Sequence, residues 1–374
     1  MKIAILGTRG VPPAYGGFET FAGELSTRLV QRGHDVWVYC RGGAAPASGA
    51  EMPAAEAAAA PLWRGVHRIE LPAIRHKYFE TVSHALLSAL DALRRDFDVV
   101  LVCNAANAFV LPLLRAKRTR VAINVDGIER KRRKWNVFGR VVYAIGEAFS
   151  ASFATVVADA GVIARYYREQ YQIEPVTIPY GADFPEEEDA GVLQRLGIEA
   201  GNYILYVSRF EPENNPLEVV REYERLDNGP PLVMLGHGLY AHDLVDELKR
   251  HESDRILFPG ALYGPDYRTL QRHALLYVQA TEVGGTHPAM IEAMASGGCV
   301  LANDAPENRE VGGDAVGYFD VHEEGELAGM ISEYLRNPLQ RDDLRARARR
   351  RASRLYSWER VTDAYERLFE RLDA

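Results

Sequence analysis

What most constrains this chain is a repeated alternation of short apolar runs with longer segments whose apolar residues recur at helical spacing. In the first half the runs are KIAIL, DVWVYC, RIELP, DVVLVC, RVAINV and ATVVAD. Between them lie segments such as FETFAGELSTRLVQRG and ETVSHALLSALDALRRD. Runs that are apolar throughout suit strands buried on both faces, and the intervening segments suit the crossover helices of a parallel sheet. The pattern pauses at PEEEDAGVLQRLGIEAGN and restarts with YILYVSRF, PLVMLG, ILFPG, LLYVQA and GCVLAND. The expectation is an α/β protein with two Rossmann-like, doubly wound domains, over 1–180 and 201–356, joined by a linker at 181–200. The tail SWERVTDAYERLFERL predicts a helix within 357–374 that crosses back onto the first domain, and GGAAPASGAEMPAAEAAAAP (42–61) reads as a surface loop.

A chain of 374 residues is long enough for two such cores. No apolar run reaches the ~18 residues of a spanning helix, and the run after Lys2 is too short for a signal peptide. Cys40, Cys103 and Cys299 lie far apart without metal-binding or redox spacing, so they read as reduced thiols of a cytoplasmic protein. Net charge is −8 but uneven: residues 1–180 hold 23 Lys+Arg against 16 Asp+Glu, while the remainder is strongly acidic. A basic first half points to an anionic partner, either a phosphate-bearing substrate or a membrane surface. No motif supports nucleic acid.

The stretch GTRGVPPAYGGFET follows the first run directly. A dinucleotide fingerprint requires G-x-G-x-x-G and an acidic residue ending the second strand. Here Gly7, Gly10 and Gly16-Gly17 have the wrong spacing, and the second strand ends at Arg41. Arg41 alone would suit the 2′-phosphate of NADP, but the loop is too long and is stiffened by Pro12-Pro13. Gly16 and Gly17, just before a helix, offer backbone amides to an anion. Plain punctuation between strand and helix is the alternative.

The segment YGGFETFAGELSTRLVQRGHDVWVYCR resembles the Gly-Gly-x-Glu region of the family 4 retaining glycosyltransferases. The resemblance continues through TIPYGAD, YVSRFEPENN, GGTHPAMIEAMASGGCVLAND and YSWERV, and so spans the chain. NVDGIERKRRKW and VGGTHPAMIEAMA most resemble the bacterial β-1,4-rhamnosyltransferase branch of cell-surface polysaccharide assembly. It implies a GT-B fold, two domains facing a central cleft, with the nucleotide sugar held mainly by the second. It also implies no cofactor and no metal.

On this resemblance Arg209, after YILYVS, would stabilise the leaving diphosphate. The family's lysine is missing, and Asn214 and Asn215 stand in its place; His287 or Arg9 would supply the absent charge. Gly285, Thr286 and His287 open a helix whose N-terminus would face the diphosphate. Glu292 matches the glutamate that binds the nucleotide ribose. Its usual partner seven residues earlier is Gly284, with Glu282 nearby. Across the cleft Gly16 and Gly17 would complete a split phosphate site.

In the first half the resemblance places Asp126 where many members of the family have a reaction-centre histidine, and there it would orient or accept the proton of the attacking hydroxyl; a turn aspartate is the alternative. Arg75, Lys77, Glu80, His84, Asn104 and Glu129 would line the acceptor groove; for His84, a lone histidine on a helix, a structural role is the alternative. Arg130, Lys131, Arg132, Arg133 and Lys134 with Trp135 would bind anionic lipid or a polyprenyl diphosphate; a solvated helix face is the alternative. The expected activity is retaining transfer of L-rhamnose from dTDP-rhamnose to a saccharide acceptor, lipid-linked, by a protein peripheral on the inner face of the cell membrane. Other donors (UDP-glucose, UDP-GlcNAc, GDP-mannose), a GT-B epimerase and a non-catalytic nucleotide-sugar-binding subunit are the alternatives.

Overall fold

The computed structural model describes residues 1–13, 16–42, 61–74, 79–117, 119–131, 137–183, 191–238 and 241–374. Most of the loop expected at 42–61 lies outside these residues. The chain forms two compact units. The first runs from Met1 to Gly181 and takes back Trp358–Ala374; the second is built on Ala182–Ser357.

In the first unit β1 (Lys2–Leu6), β2 (Asp35–Arg41), β3 (Leu62–Trp63), β4 (Val66–Leu71), β5 (Val99–Cys103), β6 (Arg120–Asn124), β7 (Thr155–Ala158) and β8 (Val176–Thr177) form one sheet. Its order is β3-β4-β2-β1-β5-β6-β7-β8. All neighbours are parallel except β3 with β4. The central strands are buried on both faces, which explains why they read as unbroken apolar runs. Alternate residues pack to opposite sides. Ala4, Leu6, Val100, Val102, Val121 and Ile123 join one core cluster with residues of the helices Phe79–Ala92, Leu111–Ala116 and Gly161–Tyr171. Helices Gly17–Gln31 and Trp358–Asp373 pack on each other, and the latter also meets β5 and β6.

The second unit holds β9 (Ile204–Val207), β10 (Leu232–Leu235), β11 (Ile256–Gly260), β12 (Leu276–Gln279), β13 (Val300–Asn303) and β14 (Gly317–Phe319), all parallel, in the order β11-β10-β9-β12-β13-β14. The chain leaves β9 toward β10 and β11, then returns to build β12 on the other side. β9 and β12 therefore bracket the switch point of the sheet, where loops diverge and leave room for a ligand. The stretch expected as a linker at 181–200 carries the helix Gly191–Leu196, whose Val192 and Leu193 are buried. Its polar flanks conceal an apolar helical turn.

Candidate functional site

At the switch point of the second unit two loops are tied together. Asn215 Nδ2 donates to the Ala280 carbonyl at 2.8 Å, and the Glu282 amide donates to the Glu213 carbonyl at 3.0 Å. Asn214 Nδ2 donates to the Arg209 carbonyl at 2.7 Å, and Tyr206 Oη donates to the Asn214 carbonyl at 2.7 Å. Asn214 and Asn215 are buried. Their carboxamides therefore build the loop, which corrects the expectation that they stand in for a diphosphate-binding lysine. Asn214 thereby fixes the backbone of Arg209, which follows β9, is half-exposed and has Glu211 at 3.8 Å.

His237 joins this edge from the loop after β10. Its carbonyl accepts the Phe210 amide at 3.0 Å. Burial, and then the charge of Arg209, hold its imidazole below the usual range. Sequence reasoning passed over His237; the G-x-G of LGHGL after an apolar run was the available signal for a tight turn at a strand end.

Beyond β12 the chain runs through Gly284, Gly285 and Thr286, all buried, to His287, the N-cap of the helix Pro288–Ala295. A Cβ at 284 would stand 2.5 Å from His287 Cε1. The imidazole lies in the space that a side chain at 284 would share. Glu282 instead pairs with His322. On the helix, Glu292 accepts a hydrogen bond from the half-buried Tyr267, whose hydroxyl also accepts Gln271 Nε2 at 2.8 Å. Burial, and then the Glu292 carboxylate, push the Tyr267 phenol well up. One carboxylate oxygen is thereby oriented by a neutral donor.

In the first unit Gly16 and Gly17 stand at the start of a helix. Gly16 caps the helix with extended backbone (φ 179°), a conformation open to any residue, and a Cβ there would approach only the Glu19 carboxylate, at 3.2 Å. Gly17 opens the helix. The demand for glycine falls on Gly7 and Gly10, with φ of 96° and 116°, where a Cβ would lie 2.4 Å from the Cys103 carbonyl and 2.5 Å from Cys40 Sγ. Glu19 is buried and accepts the Arg9 amide at 3.0 Å, so it shapes the loop.

Asp126, with φ 57°, follows β6 partly exposed, its amide bonded to Asn124 Oδ1 at 3.0 Å. Asn104 caps the 3-10 turn Ala105–Val110, its carboxamide oxygen accepting the Ala106 amide at 2.8 Å, so that oxygen serves the fold. Glu80 pairs with Arg41 at 3.1 Å. His84 and Glu129 are buried rather than turned toward a groove. His84 corrects the expectation of an acceptor contact: burial lowers its pKa to about 4 and leaves it neutral. Arg130 lies 3.2 Å from the buried Glu147, whose carboxylate also accepts the Tyr166 and Tyr171 hydroxyls, so this charge is answered inside the fold. Arg75, Lys77 and 132–135, with the Lys131 side chain, lie outside the described residues.

Among the described residues no cluster of three His, Cys, Asp or Glu side chains is disposed to hold a metal ion. Nor is any helix among them long and apolar enough to cross a membrane.

Residues 15–184 match the family model described as Glycosyltransferase Family 4, and residues 193–351 the one described as Glycosyl transferases group 1. Both models are of glycosyltransferases, and together they span most of the chain. No curated protein sequence matches it significantly. Among solved structures this glycosyltransferase is similar to sucrose-phosphate synthase from Thermosynechococcus elongatus (TM-score 0.82, 17% identity, 99% of this chain and 98% of that one). It is also similar to Anabaena HepE in complex with UDP-glucose (0.79, 15%, 98% and 99%). A third is the UDP-forming α,α-trehalose-phosphate synthase of Burkholderia xenovorans in complex with glucose-6-phosphate (0.75, 13%, 99% and 100%). These likenesses establish the GT-B fold for the glycosyltransferase, with its two parallel-sheet α/β domains.

Proposed function

We propose that this glycosyltransferase moves a hexose from a nucleoside diphosphate sugar to a hydroxyl acceptor with retention of anomeric configuration. The observation that carries the reading is Arg209, half-exposed at the switch point, its backbone fixed by Asn214 in a loop tied to the one after β12. A guanidinium there answers the charge that develops on a leaving diphosphate, and needs no reorganisation to do so. The N-terminus of the helix Pro288–Ala295 adds backbone donors, and Glu292, steadied by Tyr267, suits two vicinal ribose hydroxyls. On the acceptor side Asp126 stands at a strand end, as a proton-accepting carboxylate would.

UDP-glucose leads among the donors, because HepE holds it and the trehalose-phosphate synthase is described as UDP-forming. The sequence resemblance supplies dTDP-L-rhamnose as the other arm, with a saccharide acceptor carried on a polyprenyl diphosphate. A thermal-shift screen with both donors, their nucleotides and GDP-mannose tests the reading, since a ligand of the folded state raises the midpoint with occupancy. One nucleotide family is expected to stabilise the protein, and product anomers read by NMR should keep the donor's configuration. Absence of any shift, or an inverted product, would overturn it.

A further inference from the structure

On one side of the first unit, two helices have their apolar residues the wrong way round for contact with water. Helix Phe79–Ala92 buries the small residues Ala85, Ser88, Ala89 and Ala92. It leaves Phe79, Val82, Leu86, Leu87 and Leu90 exposed by 38–57%. Those five share one helical face. Helix Val137–Phe153 does the same: Gly146 and Ser150 point inward, while Val137, Val141, Val142 and Ile145 are exposed by 46–78%. Its inner face must be small at Gly146, where a Cβ would lie 2.6 Å from the Ala105 carbonyl, and only its last turns send large residues, Phe149 and Phe153, to the core. Both helices pack against the segment 105–116, so the two exposed stripes belong to one layer.

Keeping a large aliphatic or aromatic side chain in water forgoes about 1.5–3 kcal/mol against burying it. Nine such residues on one layer call for a cover. The charges indicate its nature. Exposed on this layer are Arg94, Arg115, Lys117 and Arg140 against Asp96; Glu80 and Asp91 are paired with Arg41 and Arg95, and the one carboxylate of helix 137–153, Glu147, is buried against Arg130, so cations are in excess. Residues 1–180 carry 23 Lys+Arg against 16 Asp+Glu. A second copy of the same face would bring like charges together; an anionic surface would not. We infer that this layer docks the protein on an anionic phospholipid bilayer, the apolar stripes entering the acyl boundary and the arginines meeting headgroups.

Docking requires no nucleotide, so its test is separate from that of glycosyl transfer. The full chain would be sedimented with vesicles of phosphatidylcholine alone or with added phosphatidylglycerol. Wild type is expected to follow the anionic vesicles. V141D/I145D and L86D/L90D are expected to bind them about tenfold or more weakly, the cost of carrying charge into the interface. The nucleotide-induced thermal shift should survive in both variants, which shows that they are folded. Vesicle binding equal to wild type in both would overturn the inference, as would failure of wild type to bind. So would a concentration-dependent dimer, without vesicle binding, that the same substitutions abolish.

Discussion

Arg209→Ala removes the guanidinium at the carboxyl end of β9 while leaving its backbone partner Asn214 in place. Turnover is expected to fall about a hundredfold or more, with the unfolding midpoint nearly unchanged because the side chain is half-exposed. Steady-state kinetics beside thermal unfolding checks both halves of that statement. His84 gives a prediction of another kind. Its folded pKa of about 4 lies below the ordinary 6.5. Below the ordinary value the unfolded chain takes up a proton that the folded one refuses. Stability is therefore full above pH ~6.5 and falls toward pH ~4, by as much as about 3 kcal/mol. Denaturant titrations at several pH values should show this slope, and His84→Gln should flatten its part. At this scale the sequence was unevenly legible. Arg209 and Glu292 sit at positions that a strand end and a helix start define. Asn214 and Asn215 were misread because nothing in a sequence says which way an amide turns, and here both turn inward. His287 was legible as a loop residue, but its occupation of the space beside Gly284 was not.

Among the elements, the helix Trp358–Asp373 has the most to lose. It buries Trp358, Val361, Tyr365, Leu368 and Phe369, and Tyr365 Oη accepts Asn124 Nδ2 at 2.8 Å. Tyr365→Phe leaves that buried amide without its partner and is expected to cost about 1–3 kcal/mol in chemical denaturation. Trp358→Ala, which opens a cavity beside Phe21 and Tyr180, should cost about 3–5 kcal/mol. Arg32, which meets Glu359, Asp363 and Glu366 at the surface, should contribute far less, and salt should erase what it does contribute. The helix was readable from apolar spacing alone, as were the central strands. β3, β8 and β14 escaped because two or three residues carry no periodicity; pairing to a neighbour creates them. The outward stripes of helices 79–92 and 137–153 were equally hidden. A helical period shows that a face exists and not which way it looks.

For the molecule as a whole, the three thiols report on both units. Cys40, Cys103 and Cys299 are buried, and burial pushes each thiol up, Cys299 to about 12. A disulfide reagent added to the native protein near pH ~8 should modify them only slowly, and all three promptly once denaturant is present. Rapid reaction of even one in the native state would contradict the packing of its unit. Two parallel sheets were foreseeable because each repeats the same strand–helix alternation. The apolar turn within 181–200 was masked by the acidic and glycine-rich residues around it.

The route of the chain has a consequence for how the protein comes into being. The body of the second unit, Ala182–Ser357, is one run of chain, whereas the first waits for Trp358–Ala374. On a ribosome, the unit whose synthesis starts first is therefore the last to be completed. Until residues 358–373 emerge, the Asn124 amide and the apolar face of helix 17–31 have no partner from that segment, and chaperones have a surface to hold while the second unit folds.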